Sequence, residues 1–282
     1  VAKAKTPDDL TITPRDVRFG RDRAPGRWWL NGDAYATAFY NALSVTFPKG
    51  EGYFIDSVRA YQDQVPPRLA QEIRAFVRQE AIHTREHMAF NRQVTDHGYD
   101  TSRLDARVDH ELSITRGKPP IANLAATMAL EHFTAILAHE LVADPRHLAG
   151  GEQQVADLWR WHAIEEIEHK GVAYDTWVHA TRDWSRFRRW RIKALVMLIV
   201  TVKFFRGRTA GMLDLLAQDG LTGAGVKWRL FGYAFGRPGM ARRVLGAWAA
   251  FFLPGFHPWN LDDRALIGLV DSEFAAARLA PA

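Results

Sequence analysis

The segment WRWHAIEEIEHKGVAYD, residues 159–175, has the composition of a helix, yet it places His162, Glu165, Glu166 and His169 within two turns of one another. Glu166 and His169 form a Glu-x-x-His pair, and Glu80 and His83 repeat it. Residues three apart on a helix differ by about 60° around the axis, so the carboxylate and imidazole of each pair converge on one point. Ahead of each pair lies a single mid-helix carboxylate, Glu51 and then Glu131. All four glutamates fall on apolar stripes. Phe47, Phe54 and Ile55 flank Glu51, Phe76 and Val77 precede Glu80, Thr127, Met128, Thr134 and Ala135 surround Glu131, and Ala163 precedes Glu166. None of Glu51, Glu80 and Glu131 has a lysine or arginine three or four residues away. An ionised carboxylate buried without a partner costs several kcal/mol at least, and four together repel one another, so protons or cations must resolve the charge. Two metal ions do so economically. Glu, Glu-x-x-His, Glu, Glu-x-x-His over four helices is the donor set of carboxylate-bridged dimetal bundles. The expected ligands are Glu51, Glu80, His83, Glu131, Glu166 and His169, with Glu131 and Glu166 closest to the chemistry. A polar core closed by inter-helix salt bridges is the competing reading.

Other polar residues sit near these stripes. His87 is one turn past His83 and His162 one turn before Glu166, so each stands as an extra ligand or as an outer hydrogen-bond donor. Glu165 competes with Glu166, which has the better spacing to His169. Glu86, Glu168 and His132 point about a quarter turn or more away and are read as outer or surface groups. There is no HExxH, P-loop, GxGxxG or Gly-x-Ser-x-Gly. Carboxylate-rich sites with one histidine per metal suit iron or manganese better than zinc, so the expected cofactor is two iron ions, with manganese as the variant.

The elements that must position these groups are helical, since the 3.6-residue period dominates and strand alternation is scarce. Gly32 and Asp33 open a first helix, kinked near Pro48, Gly50 and Gly52. Pro66 and Pro67 begin a second that stops near Gly98. A connector of about 20 residues follows, long by loop statistics and carrying a short helical pattern. Pro119 and Pro120 open a third helix, and a fourth runs from about Gln153 to Arg182. Four long helices with a long middle link predict an all-α fold, a ferritin-like four-helix bundle with a long crossover. The expected division is an N-terminal extension (1–31), the bundle (32–184), and a basic, aromatic C-terminal helical region (185–282) packed on or beside it.

Of the 282 residues, 47% are hydrophobic and 24% charged, which places the chain among ordinary globular proteins. The absence of cysteine excludes disulfides, thiolate metal sites and cysteine nucleophiles. No uninterrupted apolar run of about 18 residues is present and no signal peptide is visible, so the default expectation is cytoplasmic. The net charge of +5 gathers partly in RDWSRFRRWRIK, residues 182–193, without any nucleic-acid-binding signature, so no nucleic-acid partner is expected. The segments 186–208 and 242–259 combine arginines with Trp, Phe and Leu. They are candidates for a peripheral membrane contact or an apolar lid over a substrate cavity, against the plainer expectation of an ordinary core extension.

The blocks YATAFYNALSVTFPKGEGYFI, RQEAIHTREHMAFN, ALEHFTA, WHAIEEIEHKGVAYD and PGFHPWN carry a resemblance to the bacterial predicted metal-dependent hydrolases of the ferritin-like superfamily. The first four contain every proposed ligand. The resemblance implies a metal centre, and within the superfamily a reduced di-iron pair that uses oxygen to oxidise a bound substrate. The leading expectation is therefore a di-iron oxygenase or oxidase acting on a small hydrophobic molecule and fed by an external electron donor. Dimetal hydrolysis is the alternative, and metal storage or buffering a third, which the C-terminal appendage argues against.

Overall fold

The computed structural model describes residues 5–20, 24–115 and 117–279. Its helices are α1 (Ala34–Ser44), α2 (Phe47–Arg59), α3 (Pro67–Asp96), α4 (Ser102–Ser113), α5 (Pro120–Ala143), α6 (Gln153–His169), α7 (Val172–Ala180), α8 (Arg186–Gln218), α9 (Ala224–Phe235), α10 (Met240–Arg243), α11 (Leu245–Ala250) and α12 (Arg264–Leu279). Among the described residues there is no strand, only an isolated bridge between Leu30 and Gly151.

Local chemistry explains the breaks. Asp33 caps α1, its side chain accepting from the backbone N–H groups of Tyr35 and Ala36. The expected kink in the first helix is a full break: α1 ends at Ser44, and Pro48 sits in the first turn of α2, where its missing N–H costs nothing. Gly50 and Gly52 lie within α2 and do not interrupt it. The expected fourth helix is likewise two, α6 and α7, separated at Lys170 and Gly171. A Cβ at Gly171 would come within 2.5 Å of Thr6 Oγ1 and 3.2 Å of the Trp259 ring, so the break admits chain from both ends of the sequence. The long connector is built around α4, as its pattern suggested.

Helix α2 packs along α3, and α5 along α6 and α7, while α2 meets α5 and α3 meets α6 and α7. The four ligand-bearing segments thus enclose one interior. Helix α5 is long and apolar enough by composition to cross a membrane, and among the described residues it is the one that qualifies. It is nevertheless the central core helix here, with Leu124, Met128, Ala129 and Phe133 buried.

The C-terminal region is continuous with this core. Met212, Leu215, Trp259 and Ile267 join the cluster that holds Tyr40 and Trp161, and Met197, Val200 and Phe251 join the one that holds Phe76 and Trp177. Of the two basic aromatic segments, 242–259 is anchored inward through Val244, Phe251, His257 and Trp259 while Leu245 and Leu253 are exposed. Segment 186–208 is two-faced. Met197 and Val200 are buried against the bundle, whereas Phe187, Leu195, Leu198 and Val202 are exposed.

Candidate dinuclear metal centre

The six expected ligands converge. Glu51 comes from α2, Glu80 and His83 from α3, Glu131 from α5, Glu166 and His169 from α6, and all six are buried. Two groupings, Glu51–Glu80–His83 and Glu80–Glu131–Glu166–His169, each bring their donor atoms within 4.8 Å of one another. The carboxylates of the two Glu-x-x-His motifs lie between them. Glu80 turns Oε1 to His169 Nε2 (3.1 Å) and Oε2 to His83 Nδ1 (3.8 Å). Glu166 turns Oε2 to His169 Nε2 (3.5 Å) and Oε1 to His83 Nδ1 (3.6 Å). Each therefore divides its two oxygens between the two histidines, while Glu51 joins the His83 group and Glu131 the His169 group.

These contacts are close but lack hydrogen-bond alignment. Glu51 Oε1, both oxygens of Glu80 and of Glu131, Glu166 Oε2, His83 Nδ1 and His169 Nε2 are buried without a hydrogen-bond partner. Every one of the six residues contributes at least one such atom. Buried polar atoms are nearly always satisfied, and a cluster of orphaned lone pairs facing one another is what a cationic pair would satisfy. A fifth His/Asp/Glu group, Glu140–Asp144–His147, differs: Arg243 and His147 engage Glu140, and Arg146 engages Asp144, which makes it an ion-pair network.

The backs of the histidine rings settle which nitrogen faces the interior. His83 Nε2 lies 3.0 Å from Glu165 Oε2, a carboxylate that can only accept, so in the neutral ring Nδ1 carries the inward lone pair. His169 Nδ1 donates to Gln79 Oε1 at 3.0 Å, an orientation fixed because Gln79 Nε2 donates to Glu168 Oε2 at 2.9 Å. A third ring follows the same rule. Asn91 Nδ2 donates to the Ser44 carbonyl, so its Oδ1 accepts from the Ser44 hydroxyl at 2.6 Å. Ser44 Oγ then accepts from His87 Nδ1 at 2.8 Å, and His87 Nε2 from His162 Nδ1 at 2.7 Å. His162 Nε2 is left with its lone pair facing Glu166 Oε1 at 3.0 Å. The His162 ring stacks on that of His83 at 4.2 Å, and His83, His162 and Glu166 form a further donor group. His162 thus stands with the inner donors, and His87, hydrogen-bonded behind it, also shares a donor group with Glu51 and His162. Glu165 stands behind His83, so the competition with Glu166 resolves by position.

Three groups had not been expected in this role. Arg15, on the chain preceding α1, donates from its backbone N–H to Glu165 Oε1 (2.7 Å) and from its guanidinium to Glu168 (2.6 and 3.0 Å). Gln79 bridges His169 and Glu168, and Thr84 donates to Glu51 Oε2 at 2.7 Å. The available signal was Glu165 and Glu168 themselves, two further carboxylates on a buried helix that require a cation.

The electrostatics match this layout. Burial, then the charge of Glu80, holds the Glu51 carboxyl well above its usual range. Burial, then Glu166, raises Glu80. Burial raises Glu131 to about 8 despite His169. At Glu166 burial is outweighed by His169 and His162, which keep it ionised. Burial opposes charge on His83, but Glu165 and Glu80 raise it to about 10. Burial likewise opposes charge on His169, and Glu166 and Glu131 override it. Burial, then His83, lowers His162 to about 4. The cluster draws positive charge to its centre while keeping His162 neutral.

Two cavities approach the site. A small one of about 40 Å³ is lined by His162 and Glu166 together with Phe47, Thr134, Trp159 and Phe204. A large one of about 590 Å³ shares Leu43, Phe47, Thr134 and Phe204 with it. Of the residues expected to leave space beside Glu131, Thr134 does so, whereas Thr127, Met128 and Ala135 are packed in the core. Glu166 borders open space and Glu131 does not.

Comparison with curated proteins and with solved structures finds no significant match. The family described as "predicted metal-dependent hydrolase" matches residues 13–262, a span that contains every donor above as well as Arg15, and the chain belongs to that family.

Proposed function

We propose that the protein is a dinuclear metal enzyme of hydrolytic type that acts on an apolar substrate, with Glu51, Glu80, His83, Glu131, His162, Glu166 and His169 holding the two ions in a ferritin-like bundle. The observation that carries the reading is the set of orphaned, mutually facing lone pairs drawn from all six of the originally expected ligands. Family membership favours hydrolysis. Two bound ions supply an acidified water and polarise a carbonyl or phosphoryl oxygen. The chain's own residues do the rest. Glu165, Gln79 and His87 orient the three imidazoles, while Phe47, Trp159 and Phe204 exclude bulk water from the space beside Glu166. A substrate in the large cavity would approach across the shared lining residues Phe47 and Thr134 toward Glu166, the proposed ligand carboxylate that lines the small cavity.

A second reading, oxidation by molecular oxygen at a di-iron or di-manganese pair with an external electron donor, is favoured by one observation. The donors are carboxylate-rich and free of thiolate, a set suited to iron and manganese. One experiment divides the readings. Protein purified without added metal is assayed for metals per chain, then for turnover of apolar esters and amides under argon and in ¹⁸O-labelled water. Two metals per chain with anaerobic turnover and label in the product establish hydrolysis. A strict oxygen requirement establishes the second reading, and a protein that binds fewer than two metals refutes both.

A further inference from the structure

The large cavity is a groove with unequal ends. Its floor along α8 runs from Ile192 to Arg208, sixteen residues or about 24 Å at 1.5 Å per residue. One end is closed by the apolar side chains of Trp177, Trp184, Ile121 and Ile192, and the exposed Lys118, just ahead of α5, also lines the groove. The other gathers Arg107, Lys203 and Arg208 where α4 and α8 approach each other. The single carboxylate on the lining, Glu111, is already paired with Lys203. Arg208 donates through Nη1 to the Ala42 carbonyl and to Thr46 Oγ1, which leaves its other nitrogens free. Arg107 Nη1 is buried with no hydrogen-bond partner, and neither arginine has an ion pair among the described residues. Burial, then the nearby charge of Arg107, lowers Arg208 to about 10, so two guanidiniums repel each other at one end of an apolar channel. An anion placed there relieves both the repulsion and the orphaned donor, and the guanidinium fork suits a carboxylate.

We propose that this groove binds a single-chain amphiphile, an aliphatic carboxylate, with its head on Arg107 and Arg208 and its chain laid toward Trp177 and Trp184. This deepens the proposed function by naming its product class and rests on that reading for its catalytic meaning: water cleaves an ester or amide of the acid, the alcohol or amine leaves, and the carboxylate is what the groove holds, although the binding itself needs no metal. The wall shared with the small cavity, Leu43, Phe47, Thr134 and Phe204, adjoins Arg208, whose guanidinium lies 5.9 Å from the Phe204 ring, so the part of the chain nearest the head is the part nearest His162 and Glu166. The lining fits an acyl chain in both size and polarity: about 590 Å³ is within the usual range of small-molecule sites.

The test is calorimetric titration of the full-length, metal-free protein with dodecanoate, dodecanol and dodecyl phosphate. Dodecanoate should bind at one per chain and at least about tenfold more tightly than dodecanol, the worth of a charge-assisted contact. Arg107→Gln removes no hydrogen bond or ion pair among the described residues, so it should leave the fold intact and weaken dodecanoate about tenfold or more while leaving dodecanol unchanged. Gly207→Leu fills the groove without a clash, because a Cβ there meets nothing within 4 Å, and it should abolish binding of both. Equal affinity for acid and alcohol, no effect of Arg107→Gln, or undiminished binding in folded Gly207→Leu overturns the proposal. Tighter binding of the phosphate overturns the carboxylate assignment. Metal content, measured separately, reports on the dinuclear reading alone.

Discussion

Replacing Glu165 by glutamine changes neither size nor fold, and it asks whether this residue acts by orienting His83. Glu165 is fully buried and its two oxygens face donors only: Oε1 receives the Arg15 backbone N–H at 2.7 Å and the guanidinium at 3.4 Å, and Oε2 receives His83 Nε2–H at 3.0 Å. A glutamine has one acceptor oxygen, and the side with two donors claims it. Its NH₂ must then face His83 Nε2, which turns the ring to the other tautomer and puts the proton on Nδ1, the nitrogen aimed at Glu80 and Glu166. A protonated Nδ1 cannot ligate. Loss of an outer partner of a metal-bound histidine typically weakens metal binding about 10–100-fold, equivalent to about 1.4–2.7 kcal/mol. The expected result for Glu165→Gln is one site weakened by that factor and the other nearly unchanged, read by calorimetric titration with Fe(II) or Mn(II). Nitrogen-15 spectra of the imidazoles should show the tautomer change at His83. Glu166→Gln, which alters the carboxylate shared between the two histidines, should weaken both sites. Unchanged affinity in Glu165→Gln would refute the orienting role, and an equal loss at both sites would make Glu165 a direct ligand.

Two further predictions follow from the same network. Glu131 at about 8 and His83 at about 10, with Glu51, Glu80 and His169 also raised, mean that protons are held near neutral pH that a metal ion must displace. Affinity should therefore rise with pH from 6 through 8, and titration in buffers of different ionisation enthalpy should show net proton release that shrinks as pH approaches 10; pH-independent affinity would contradict it. Arg15→Met strands Glu165 and Glu168, whose guanidinium partner it removes. Breaking a buried pair from one side costs about 3 kcal/mol or more, a fall in Tm of about 6–12 °C at 2–4 °C per kcal/mol, measured by calorimetry on metal-free protein. A change under 2 °C would show that those carboxylates do not depend on Arg15.

How far the sequence reached depended on the range of the interaction. The pairs Glu80–His83 and Glu166–His169 were legible because i to i+3 spacing is local geometry, and Glu51 and Glu131 because a carboxylate on an apolar stripe without a nearby cation is an anomaly in one helix. The Ser44–His87–His162 relay was half legible. The histidines were visible at one-turn spacings, but their order depends on a hydroxyl and an amide from α1 and α3 that no periodicity connects. Arg15 was invisible, because its partners lie about 150 residues away in sequence and its own segment has no helical pattern. The split of the fourth helix was equally hidden. Gly171 in a long periodic run reads as a tolerated glycine, and only the approach of Thr6 and Trp259 shows why no larger residue fits there. Lys203 and Arg208 were read only as part of a segment that contacts a membrane, covers a cavity or extends the core, since the side of α8 that turns inward is decided by α1, α4 and α5.

Arg15 also ties the donor-bearing helix α6 to the last helix, α12. Its guanidinium reaches Glu168 on one side and Asp271 of α12 on the other, at 2.8 and 2.9 Å to the latter. Its neighbour Thr13 receives Gln79 through its carbonyl and donates its N–H to Glu168. The chain before α1 is therefore a strap across the outer face of α3 and α6, and α12 presses on it from outside. A dimetal centre needs outer carboxylates to fix its imidazoles, and those carboxylates need a positive charge that must not come from the interior, where it would compete with the metals. Supplying it from a separate segment, pinned between the ligand helices and the last helix, keeps the balancing cation on the far side of Glu165 and Glu168 from the ions. On this account, the N-terminal strap and the C-terminal helix support the proposed metal site: a protein truncated after Asp263 should keep its seven proposed ligands yet hold Arg15 less firmly, with the loss falling first on the His83 position.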